Sequence, residues 1–159
     1  MVLNIEWCLR TKNGIEIVEP NQNMSFSYLK MAEESLEELK RLESKIWIAS
    51  ASYYTMYYSL YALMIKIGIK CEIHSCSLLF MRTFLKRFYS TKDIEIINEA
   101  FRIRNDMQYY PDRGVLESSV QKIKNYAPDF YANTIAAISK IKEADIKLIQ
   151  EELRKKGRA

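Results

Sequence analysis

Wound as a helix, the stretch from Ile46 to Gly68, IWIASASYYTMYYSLYALMIKIG, puts apolar or aromatic residues on nearly every side, the pattern of a helix enclosed by other helices. One stripe runs Trp47, Ala51, Tyr54, Tyr58, Tyr61, Ile65, and a second runs Ile46, Ser50, Tyr53, Tyr57, Leu60, Met64, Ile67. Between them Ser52, Thr55 and Ser59 form a thin line of small polar groups, short enough for a neighbouring backbone to come close. Each of the five tyrosines brings a hydroxyl that needs a partner once its ring is buried, so a polar seam inside a bundle is expected.

The same periodicity extends on both sides. From Ser25 to Glu43 a stripe of Tyr28, Ala32, Ser35, Leu39 and Leu42 is supported by Leu29 and Leu36. Glu33, Glu34, Glu37 and Glu38 lie on the other side, where they read as a solvated face. Gly68 suits the left-handed position that closes the central helix. Ser75 is expected to cap a helix over 75–89, with Leu78, Met81, Leu85 and Phe88 inward and Arg82, Lys86 and Arg87 as a basic outer cluster read as solvated. Ser90 or Thr91 caps the next helix, 92–109, which Pro111 ends. A further helix over 116–126 is expected to break at Ala127-Pro128 and resume towards Lys156, with Asp145 capping a last segment that carries Ile146, Ile149 and Leu153.

The first twenty residues follow a different pattern. The runs IEWCLRT and IEIVE flank Asn13-Gly14, a turn signal between alternating apolar residues, which predicts a β-hairpin or extended arm closed by Pro20. The expected architecture is therefore all-α: an up-and-down bundle of four to five helices over 25–156, preceded by an arm over 1–24 and followed by a frayed basic tail at 157–159.

Composition fits one domain without disulfides or metal: 159 residues, only four glycines and three prolines, and a formal charge of +4 that permits nucleic-acid contact without requiring it. Cys8, Cys71 and Cys76 are an odd set without paired spacing, which argues against a disulfide framework and for a reducing cytoplasm. Cys71, His74 and Cys76 lack zinc-ligand spacing, and a fourth ligand would have to come from distant Cys8, so the segment reads as a metal-free connector and no cofactor is implied. No cleavable leader is recognisable at the start. A membrane span over 46–65 would place the SYYTMYYS hydroxyls at the bilayer midplane, so a buried soluble helix is the better reading.

One residue breaks the pattern. The inward row of the 92–109 helix reads Ile94, Ile97, Phe101, Arg104, Gln108, beside a parallel row of Ile96, Ala100, Ile103, Met107, Tyr110. A guanidinium on such a row cannot shed its charge, so Arg104 must find hydrogen-bonding partners, open onto a cleft or sit at a subunit interface. Tyr54, Tyr58 and Tyr61 are the candidate partners.

The segments AEESLEELKRLESKIWIASASYYTMYYSLYALMIKIGIKCEIHS and AFRIRNDMQYYPDR resemble the HEPN domain superfamily, in particular its small stand-alone prokaryotic and archaeal members, over roughly residues 25–150. The resemblance implies a bundle of four or five helices, a homodimer, and a toxin–antitoxin setting beside a minimal nucleotidyltransferase. In the active branch an Arg, a polar residue, a short spacer and a His from two protomers build a metal-independent RNA-cleaving site. Arg104 matches that arginine and Asn105 the polar residue, but Tyr109 stands where the histidine is expected, and the chain's only histidine is His74. With a reference pKa near 10, tyrosine is a poor base at neutral pH.

The resemblance thus implies a nucleotide-, RNA- or partner-binding module, degenerate as a ribonuclease, with Arg104, Asn105, Gln108, Tyr109 and Tyr110 lining the groove. One alternative is an active ribonuclease using Arg104 with Tyr109 or His74. Another is a purely structural or regulatory partner, in which the Tyr109–Tyr110 hydroxyls are open to AMP transfer.

Overall fold

The computed structural model describes residues 2–158. They form α1 (Ile5–Arg10), β1 (Glu16–Ile17), α2 (Gln22–Leu39), α3 (Lys45–Lys66), β2 (Ile69–Lys70), α4 (His74–Phe84), α5 (Thr91–Tyr109), α6 (Glu117–Lys140) and α7 (Glu143–Arg158). The chain is all-α apart from the one short strand pair, and α3 is its axis, packed against α2, α5 and α6. Tyr53, Met56, Leu60, Leu63 and Met64 are fully buried on it. The small polar line is buried too, and the hydroxyls of Ser52, Thr55 and Ser59 donate to the carbonyls of Ile48, Ala51 and Thr55 one turn earlier, so they demand nothing from their neighbours.

α2 lies antiparallel to α3. At its start the Ser25 hydroxyl donates to the Ala62 carbonyl at 2.7 Å and the Asn21 amide to that of Ile65, both near the other helix's end. Gly68, at φ +79°, closes α3, and the turn is crowded as well as left-handed: a Cβ there would stand 2.4 Å from the Val18 carbonyl oxygen. α5 starts with a full capping box, in which the Asp93 amide donates to Ser90 Oγ and the Ser90 amide to Asp93 Oδ2. Asp93 is buried, and its other oxygen accepts from the Tyr126 hydroxyl at 2.7 Å and Asn133 Nδ2 at 2.9 Å, which ties the start of α5 to α6.

Five expectations need correction. The N-terminal segment forms no hairpin: IEWCLR is helical, capped by the Asn4 side chain, with Ile5 and Cys8 buried three residues apart on one face. Asn13-Gly14 does turn the chain, with Asn13 at φ 63°, but the strand that follows pairs antiparallel with Ile69–Lys70, not with its own neighbour.

The cysteines do pair. Cys8 and Cys76 form a disulfide between α1 and α4, 68 residues apart in sequence, and Cys71 is left free and buried. Chain spacing is silent about this pair because it is set by the docking of α1, and the bond removes the argument for a reducing compartment.

α4 starts at His74 behind Ile73 with no side-chain cap, so Ser75 does not cap it. α6 runs through Pro128 without interruption, with Ala127, Phe130 and Thr134 buried along one face. Pro128 itself is exposed, so the Lys124 carbonyl that loses its N–H donor lies towards solvent.

At the C-terminus, Asp145 receives the Lys142 amide at 2.9 Å, and α7 continues to Arg158 with Ile149 and Leu153 buried, so residues 157–158 belong to the helix. No described helix is long and apolar enough to cross a membrane.

Candidate functional site around Arg104

Arg104 is half-buried on the α5 face that meets α3. Its Nη2 donates to the Tyr54 hydroxyl at 2.7 Å and its Nη1 to Asn105 Oδ1 at 2.8 Å. The guanidinium carbon stands 5.3 Å from the Tyr54 ring centre and 5.7 Å from that of Tyr53, within cation–π range of both. Its Nε is buried without any acceptor, and among the described residues no carboxylate pairs with the charge. A delocalised cation held by two neutral acceptors keeps its net charge available to an anion, which would approach the half-buried Nη groups and not the enclosed Nε.

The hydroxyl seam is distributed among different partners. Tyr54 takes Arg104; Tyr57 hydrogen-bonds Ser77 at 3.1 Å; the Tyr61 hydroxyl accepts from the Cys71 amide at 3.2 Å. A 2.7 Å hydrogen bond joins the Tyr53 hydroxyl and His74 Nδ1. The imidazole also stacks on the Tyr57 ring, 3.9 Å between centres and 10° from parallel, and lies 6.4 Å from the Phe101 ring, one turn before Arg104 on α5.

The chain's only histidine and its inward arginine therefore share one aromatic cluster, because the disulfide-tethered start of α4 folds over the middle of α3. Burial, and secondarily the Arg104 charge, lower the His74 pKa to about 4, so the ring is neutral at pH 7. Burial pushes the Tyr53 and Tyr57 hydroxyls up, so both stay protonated.

The remaining sequence candidates lie further out. Asn105 belongs to the cluster through its bond to Arg104, whereas Gln108 is exposed a turn beyond. Tyr109 is 62% exposed at the last position of α5 and, five residues on, points about 140° around the helix from Arg104. Tyr110 is covered by Arg113, whose guanidinium stands 4.0 Å from its ring centre and also pairs with Asp106 at 2.8 Å. In the basic cluster, Arg87 pairs with Asp145 at 3.2 Å and lies over Phe88. Cys71, His74 and Cys76 do not converge, and among the described residues no group of three His, Cys, Asp or Glu side chains is placed to hold a metal ion.

One feature was not anticipated from sequence. The stripe Trp47, Ala51, Tyr54, Tyr58 is uncovered at its first half and, with Met31, Leu42, Glu34 and Glu38, lines an open groove of about 550 Å³ between α2 and α3. The signal was present in that stripe, but a hydrophobic face does not say whether a neighbour reaches it. Comparison with protein-family models, with curated proteins and with solved structures finds no match to this chain.

Proposed function

We propose that the chain is a HEPN-type helical module that binds the phosphate of a nucleotide or of RNA at Arg104, working as a homodimer beside a minimal nucleotidyltransferase and degenerate as a ribonuclease. The observation that carries the phosphate assignment is the state of Arg104: a permanent, half-buried cation with no carboxylate partner among the described residues. The dimer and the nucleotidyltransferase rest on the family resemblance alone. Loss of cleavage follows from the replacement of the expected histidine by Tyr109, a weak base that is exposed and directed away from Arg104.

The proximity of His74 favours a second reading, a metal-independent ribonuclease in which Arg104 stabilises the phosphorane charge and His74 takes the 2′-hydroxyl proton. Against it, a ring with a pKa near 4 is a weak base, and its Nδ1 is held by Tyr53.

The separating experiment titrates the protein into a fluorescent single-stranded RNA and follows anisotropy and cleavage in the presence of a chelator. Binding that falls about tenfold or more in Arg104→Ala, with unchanged helical circular dichroism and no cleavage, supports the module. Binding equal to that of the parent protein overturns it. Chelator-resistant cleavage leaving cyclic phosphate ends, and lost in His74→Ala, transfers the assignment to the ribonuclease.

A further inference from the structure

The groove between α2 and α3 and the cation at Arg104 share one residue. Tyr54 forms part of the groove wall, and its hydroxyl carries Arg104 at 2.7 Å. Beside it Tyr58 stacks on Tyr54 with ring centres 5.4 Å apart, and Trp47, 60% exposed, stands along the same stripe. The opposite rim is acidic: Glu34 and Glu38 reach it from α2, Glu34 without an ion pair among the described residues and Glu38 only 3.7 Å from the exposed Arg41. The volume, about 550 Å³, is that of a small-ligand site.

These features narrow the occupant. Flat aromatic walls accept a π-face, which any nucleobase offers. The rim carboxylates, when ionised, act only as acceptors, so they select a ring edge that carries N–H donors. Guanine presents such an edge, with ring and exocyclic donors side by side that match the two oxygens of one carboxylate. Arg104 lies outside the groove's own lining, on the far side of the Tyr54 hydroxyl, so the negative end of such a molecule would have to extend past the edge of the Tyr54 ring to meet it.

We infer that this groove is the base subsite of the Arg104 phosphate site, and that the ligand is a nucleoside phosphate whose base bears adjacent N–H donors, guanosine monophosphate being the best small probe. The inference rests on the phosphate reading for its anionic end only. The base end stands on Trp47, Tyr58, Glu34 and Glu38. The exposed Trp47 also supplies a signal, because a stacked base quenches its fluorescence.

The test uses the full chain with Trp7→Phe, which leaves Trp47 as the only tryptophan of the two in the sequence. Guanosine, guanosine monophosphate, adenosine monophosphate, uridine monophosphate and inorganic phosphate are titrated separately, with calorimetry for variants that lack Trp47. Guanosine alone is expected to quench Trp47, and the monophosphate to bind more tightly than the nucleoside. Trp47→Ala is expected to weaken guanosine about tenfold, and Glu34→Gln with Glu38→Gln to erase the preference for guanosine over uridine monophosphate. Arg104→Ala is expected to remove the gain from the phosphate while guanosine still binds.

If guanosine gives no quenching while RNA still binds through Arg104, the base subsite is overturned and the phosphate reading stands. If guanosine binds but neither phosphate nor RNA responds to Arg104→Ala, the phosphate reading falls and the groove is supported as a nucleoside site. A self-association removed by Trp47→Ala, with no response to guanosine, would assign the groove to a second copy of the chain and overturn the inference.

Discussion

The Tyr54 hydroxyl accepts the Nη2 proton of Arg104 at 2.7 Å, a bond between residues 50 positions apart that fixes α5 against the middle of α3. Tyr54→Phe removes the acceptor and leaves the ring. The expected cost is about 1–2 kcal/mol, the range for a hydrogen bond to a charged donor reduced for partial exposure, read as a lower urea midpoint with an unchanged slope. RNA binding through Arg104 is expected to persist in this variant, since the cation stays in place. An unchanged midpoint would mean that water replaces the hydroxyl in full.

His74 sets a pH dependence whose sign is fixed. Its pKa is lowered to about 4 in the folded chain, by burial first and by Arg104 second, from an unfolded value near 6.5. Between those values the unfolded chain binds the extra proton, so the contribution of His74 is fully present above pH 6.5 and is lost as pH falls towards 4. Melting temperatures of the parent and of His74→Gln, measured from pH 7.5 to 4.5, should show the parent losing more stability on acidification than the variant. Parallel curves would contradict the buried, neutral imidazole. Because this is the chain's only histidine, its ring protons in a nuclear magnetic resonance titration give the pKa directly.

Much of the frame was legible because it is written in periodicity. The stretch from Ile46 to Gly68 reads as an enclosed helix closed by its glycine, and the helix runs over Lys45–Lys66. Gly68 was legible as its end and Ser90 as one of two possible caps, since both requirements are local backbone chemistry. Arg104 stood out against its row, and Tyr54 was among its three candidate partners. The readings that failed depend on tertiary contacts. A six-residue helix such as α1 is too short to show a 3.6-residue repeat and is held by the burial of Ile5 and Cys8, so the Asn-Gly turn dominated the local signal. The Cys8–Cys76 bond joins two elements whose adjacency no local pattern encodes, and Pro128 is tolerated because packing on both sides keeps α6 continuous. His74 was read as a connector residue on a separate loop because its place beside Tyr53 and Phe101 follows from how α4 docks.

The disulfide anchors the N-terminal segment to the start of α4, two residues from His74. Closing a loop of this length constrains the unfolded chain by about 4 kcal/mol in the chain-entropy account. Reduction with dithiothreitol, or Cys8→Ala with Cys76→Ala, should therefore lower stability by about 2–4 kcal/mol, seen as a fall in melting temperature. Hydrogen exchange should rise first in residues 5–17, where α1 and β1 lose their tether. Identical melting curves for oxidised and reduced protein would show that the bond contributes little beyond packing.

Gly68 joins three elements at one point. It ends α3 at φ +79°, its carbonyl accepts the Val18 amide at 2.8 Å, and the adjacent Ile67 carbonyl accepts Gln150 Nε2 of α7 at 2.9 Å. In Gly68→Ala the new Cβ would stand 2.4 Å from the Val18 carbonyl and 2.9 Å from Gln150 Nε2, in a backbone conformation that L-residues disfavour. The side-chain amide can swing away, but the carbonyl belongs to the segment leading out of β1 and cannot yield without disturbing the β1–β2 pair. The expected loss is about 2 kcal/mol or more. A control separates strain from lost contact. Gln150→Ala deletes the α7 bond alone and should cost no more than about 1 kcal/mol. Urea unfolding of both variants checks the comparison, and equal losses would show that the lost α7 contact, and not strain at position 68, accounts for the effect.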